Sequence, residues 1–125
     1  MKRFALLVAA VFGILPASAS ASPSPPQVSI DLASFRIAPR AIVLAADRPV
    51  RLVFTNRSGS SHDFTASRFF EAARDVRGPV EDGEVDLAGH QSAIVDLIPV
   101  RGTYKAHCGH FGHKLLGMSA TIVVR

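Results

Sequence analysis

The chain has 125 residues, 48% of them hydrophobic, with 14 Lys and Arg against 10 Asp and Glu, five His, one Cys and no Trp. That length fills one domain around one core and excludes two. Setting aside Lys2 and Arg3 leaves 12 cations against 10 anions, about +2, and the arginines are scattered, which excludes the clustered basic face that nucleic acid requires.

The first 21 residues combine a basic start (Lys2, Arg3), an apolar run from Phe4 to Leu15, and small residues at Ala17-Ser18-Ala19 and Ala19-Ser20-Ala21. This is the pattern of a cleaved secretory signal peptide, so residues 1–21 are set apart from the fold and the product is expected in the periplasm or outside the cell. The apolar run is short of the roughly 20 residues a membrane span needs, so no span is expected in the mature form. Residues 22–27, SPSPPQ, read as a flexible proline-rich leader, and residues 28–125 as one domain.

Within that domain, short runs rich in Val, Ile and Leu alternate with turn residues. VSIDL (28–32), AIVLA (41–45), RLVFTN (51–56), EVDLAG (84–89), SAIVDLI (92–98), GTYKAHC (102–108) and SATIVVR (119–125) are predicted strands. Seven or eight short strands so spaced predict an all-β sandwich or barrel. SRFFEAARDVR (67–77) is the exception and predicts one short helix, ended by Gly78-Pro79. Glu81, Asp82, Glu84 and Asp86 read as a solvated loop leading into a strand, without the regular oxygen spacing of a calcium loop.

Chemistry concentrates near the end of the chain. YKAHCGHFGHKLLGM (104–118) holds the one cysteine, three of the five histidines and Met118. A lone thiol in an exported protein has no disulfide partner and is exposed to oxidation, and burial as an inert core residue is its ordinary fate. Here the thiol lies among imidazoles and a thioether, the ligand set of a mononuclear blue-copper site: two His and one Cys around the metal, with Met weak and axial. The second imidazole has to come from elsewhere in the chain, and His62 is the candidate. Cys108, His113 and Met118 follow at intervals of four intervening residues each. His110 is an alternative to His113, but two residues from the cysteine it would have to fold back sharply onto the same ion; otherwise it is exposed or supports a ligand from behind. His107, beside Cys108 on a strand, points to the opposite face by the pleat's period of two. His90 reads as a solvent residue in a turn.

The order of these features resembles the cupredoxins, the plastocyanin, azurin and auracyanin group of small blue copper proteins. The features are a strand ending in Asn56, a loop with His62 and Phe64, Gly102-x-Tyr104 leading to Cys108, then His113 and Gly117-Met118 before a last strand. The resemblance covers roughly residues 28–125 and implies a Greek-key β-sandwich. It also implies one copper ion held by His62, Cys108, His113 and Met118, cycling between Cu(I) and Cu(II) to carry single electrons. It implies a monomer with transient redox protein partners, electrons passing through an apolar patch at the His113 edge. Phe111, Gly112, Leu115, Leu116 and Gly117 would supply that patch, with Lys114 and Arg68 steering an acidic partner. Two departures stand out: Asp63 occupies the place where many cupredoxins have an Asn that ties the ligand loops together, and Ser119-Ala120 follow Met118. A copper carrier or resistance protein that hands on Cu(I) is the alternative function. A closed zinc site of Cys108 and three histidines needs a helix the β-rich context does not favour. No enzyme is expected, because five histidines do not supply the second cluster of a copper oxidase or nitrite reductase.

Overall fold

The computed structural model describes residues 5–34, 36–109 and 118–125. Among these, the aliphatic runs form ten strands and one helix. The strands are β1 (Gln27–Ala33), β2 (Arg36–Ala38), β3 (Ala41–Leu44), β4 (Val50–Asn56), β5 (His62–Thr65), β6 (Arg74–Arg77), β7 (Glu84–Leu87), β8 (Ser92–Ile98), β9 (Gly102–His107) and β10 (Ser119–Val124), with α1 (Ser67–Ala72) between β5 and β6. Two five-stranded sheets result, in the orders β2-β1-β4-β8-β6 and β3-β10-β9-β5-β7. Most neighbours are antiparallel, but β1 runs parallel to β4 and β3 parallel to β10, so long connections cross between the sheets. Residues 5–26 form no helix or strand, although the Pro26 carbonyl accepts a 2.9 Å hydrogen bond from the Arg51 amide. Among the described residues no helix is long and apolar enough to cross a membrane.

Each sheet buries one side of its pleat. In β4 the burial alternates strictly, with Val50, Leu52, Phe54 and Asn56 turned inward, and β10 repeats the pattern with Ala120, Ile122 and Val124. Alternation places these side chains in one layer between the sheets, where their apolar area leaves water. Phe54 of one sheet meets Phe64 of the other at a centroid distance of 4.9 Å, and Phe69, Phe70 and Tyr104 extend the aromatic cluster under α1.

The predicted all-β sandwich is the fold observed, with all seven predicted strands present. Three strands escaped the sequence. β2 is three residues long, and β5 (HDFT) carries three polar residues that read as loop. The third, β6, corrects the helix. α1 stops at Ala72, Ala73 is extended (φ −65°, ψ 153°), and 74–77 pairs with the edge of β8 instead of continuing the helix. Phe69 and Phe70 anchor α1 in the core, but Arg74–Arg77 has no apolar face to bury, so pairing with an open strand edge outweighs its modest helix propensity. All four residues of β6 are exposed, and its two arginines give the sheet a charged edge that resists further pairing.

Candidate metal centre

Asn56, the last inward residue of β4, begins the site. Its position in the pleat puts an amide where the row above it is apolar, and the amide is fully used. Nδ2 donates to the carbonyls of Ser60 (2.7 Å), Ala88 (3.0 Å) and Leu87 (3.3 Å), while Oδ1 accepts from the Ser58 amide and hydroxyl, both at 3.0 Å. One buried side chain thus holds the loop before β5 against the end of β7. Gly89 completes the fit, since a Cβ there would collide with the Gly59 carbonyl.

That latch delivers His62 to the start of β5, opposite Leu87 of β7 and only 1% exposed. Cys108 follows the last residue of β9 and is equally buried. The Cys108 sulfur lies 4.0 Å from His62 Nδ1, although the two residues are 46 apart in sequence. A first-row metal bonds thiolate and imidazole at lengths that together reach roughly 4.3 Å, so a single ion can touch both atoms without moving either. Met118 is completely buried, and its carbonyl accepts a 3.0 Å hydrogen bond from the Cys108 amide. The antiparallel β9–β10 register, which pairs His107 with Ser119, makes that closure inevitable by carrying Cys108 to Met118. An imidazole and a thiol are therefore gathered at one end of the sandwich with Met118 next to the cysteine along the ladder, donor types that fit a soft first-row metal. His113 lies outside the described residues, as do His110, Phe111, Lys114 and the other members of the expected apolar patch.

Asp63 fills a role that the sequence put in doubt. It is 3% exposed, and its Oδ1 accepts from the Gly109 amide (2.6 Å) and the Cys108 thiol (2.8 Å), while Oδ2 accepts from the Thr65 hydroxyl (2.7 Å). The β5–β9 ladder has Thr65 opposite His107, and two residues further this register sets Asp63 opposite Gly109. The side chain thus takes up the first amide beyond the ladder and ties the His62 strand to the Cys108 turn. Glu84 and Asp86 of β7 approach the same carboxylate, with ligand oxygens of the three within 4.8 Å of one another. Desolvation, then repulsion from Asp86 and Asp63, raises the Glu84 pKa above the ordinary glutamate value. Glu84 and Asp86 lie on β7, within the strand predicted over 84–89.

Comparison with known proteins agrees with this arrangement. No protein-family model matches the chain, and no curated protein does. Among solved structures, auracyanin B is 25% identical and superposes with a TM-score of 0.62 over 84% of this chain and 93% of its own. Auracyanin A, a blue copper protein from the green thermophilic photosynthetic bacterium Chloroflexus aurantiacus, is 20% identical with a TM-score of 0.58, covering 82% of this chain and all of its own. The chain has the cupredoxin fold. A multicopper oxidase from Campylobacter jejuni shares the fold at 11% identity (TM-score 0.62), but this chain spans only 31% of the oxidase's length.

The structure therefore brings together three of the four expected ligands, His62, Cys108 and Met118. It leaves His107 half-buried beside the cysteine and His90 exposed in its turn. Sequence reasoning did not foresee that Asn56 positions the His62 loop, and it left open whether Asp63 could tie His62 to Cys108. Asn56 carried a signal, as the one polar residue on the inward side of RLVFTN. Asp63 carried only its place beside His62, because its partners lie across a strand pairing that HDFT does not announce.

Proposed function

We propose that this cupredoxin carries single electrons between redox proteins by cycling one copper ion between Cu(I) and Cu(II), and that residues 1–21 direct its export to the periplasm or beyond. The observation that carries the reading is the pair of buried donors, His62 Nδ1 and Cys108 Sγ, held 4.0 Å apart with Met118 beside them. Copper bound there would supply a one-electron couple, with the thiolate giving strong charge transfer to Cu(II). His62, Cys108 and His113 would hold it, with Met118 as the weakest of the four ligands. The chain's own work is to keep these donors fixed and dry. Asn56 clamps the His62 loop, Asp63 ties it to Gly109, and the β9–β10 ladder fixes Cys108 against Met118. A rigid site on strand ends need not reorganise when an electron moves, which suits a carrier rather than a catalyst.

The optical and EPR spectra of the protein loaded with Cu(II) test this reading. Wild type should turn intensely blue or green and Cys108→Ser should stay colourless. His113→Ala should change the spectrum more than His110→Ala. A wild type that binds metal tightly and shows no such colour overturns the proposal.

A further inference from the structure

The outer face of the site-bearing sheet carries a groove that the metal centre does not use. It encloses about 830 Å³ and runs along β9 and β10, with α1 at one end and Arg40, just before β3, at the other. Lys105 and His107 project into it from β9, Thr121 from β10 and Arg68 from α1. Arg40, Arg68 and Lys105 are exposed, and among the described residues none of them forms an ion pair, unlike Arg51, Arg57 and Arg74. No carboxylate appears among the described residues that line the groove, which otherwise presents Ser and Thr hydroxyls.

The groove is polarised. Thr65 marks its acidic border, because its hydroxyl lies 3.3 Å from Glu84, and beyond that border stand Glu84, Asp86 and the buried Asp63. Three cations in a concave surface concentrate positive potential, and the negative margin at Thr65 gives an incoming charged body a preferred orientation. His107 in the groove precedes Cys108, so anything seated there rests against the strand that leads to the thiolate.

We propose that this groove is a docking surface for an acidic segment of a redox protein partner. The acidic segment would lie along Lys105, Arg40 and Arg68, and the carboxylates of β7 would keep it from sliding toward that edge. The proposal rests on the electron-carrier reading for the identity of the partner, while the charge recognition is a property of the groove itself.

The test is an amide NMR titration of the full chain, metal-free and loaded with Cu(I), using hexaglutamate peptide at low salt. The expected result is a set of shifts concentrated on residues 103–107 and 119–121, lost as salt is added. Binding should weaken roughly tenfold in the triple variant Arg40→Gln, Arg68→Gln, Lys105→Gln, because each exposed charge contributes modestly. The control variant Arg48→Gln, Arg101→Gln, Arg125→Gln removes the same charge from exposed sites elsewhere and should retain most of the affinity. Equal losses in the two variants, or shifts scattered over both sheets, would overturn the groove. The colour is read on the same protein preparation loaded with Cu(II). Blue protein without groove-specific binding rejects the docking surface alone, whereas groove-specific binding by a colourless protein rejects the redox identity of the partner.

Discussion

Asn56 makes five hydrogen bonds in a place that admits almost no solvent, so its removal leaves the Ser60, Leu87 and Ala88 carbonyls and the Ser58 donors to find new partners. Asn56→Ala should cost about 2–3 kcal/mol in urea unfolding of the metal-free protein, and should weaken metal affinity because His62 follows the freed loop. Asp63 offers a sharper contrast. Asp63→Asn keeps one oxygen to accept from the Gly109 amide and should be tolerated, whereas Asp63→Ala leaves that amide unanswered and should cost about 1–3 kcal/mol by the same measurement. Cys108, His62 and Met118 were recognisable in the sequence as candidate ligands because thiol and thioether donors are rare and their spacing is informative. Asp63 was not, because an acidic residue beside a histidine is commonplace until strand pairing sets Gly109 and Cys108 against it.

Among the strands, the pairing of β4 with β8 carries a charge pair whose titration can be followed. Arg51 grips Asp96 through two hydrogen bonds of 2.8 and 2.9 Å, and that contact lowers the Asp96 pKa below the ordinary aspartate value. A depressed carboxylate stabilises the fold above its unfolded pKa of about 4, and the contribution is lost as pH falls through the lower folded value. Thermal melts from pH 7 down to pH 2 should therefore show a steeper acid loss for wild type than for Asp96→Asn, with the two curves converging at the acid end. Added salt should shrink the difference, since both side chains are more than a third exposed. Strand identity was legible where β-branched residues cluster and failed where pairing alone decides. β6 has no apolar residue turned to the core, and only the open edge of β8 makes it a strand. Its exit also depends on Gly78, whose φ of +132° suits glycine and where a Cβ would strike the Ile94 carbonyl, so Gly78→Ala should lower the melting temperature.

Over the whole molecule, the metal centre joins strands that are distant in sequence and adjacent in one sheet. Binding to the native state alone should raise stability by mass action, about 2.7 kcal/mol when free metal stands at one hundred times its dissociation constant. The melting temperature should rise with copper in wild type and stay flat in Cys108→Ser. The sandwich as a whole was legible from the regular spacing of aliphatic runs, whereas the division of strands between two sheets and the parallel pairs β1–β4 and β3–β10 depend on long connections that no local pattern encodes. The hydrogen bond from the Cys108 amide to the Met118 carbonyl has a further consequence. It fixes Cys108 and Met118 side by side, at either end of the intervening stretch of sequence, by a bond that belongs to the β9–β10 ladder alone. Exchanging residues 110–117 for a segment of different length should leave the unfolding of the metal-free protein nearly unchanged while altering its copper spectrum, which would let the colour of the centre be varied without rebuilding the fold that carries it.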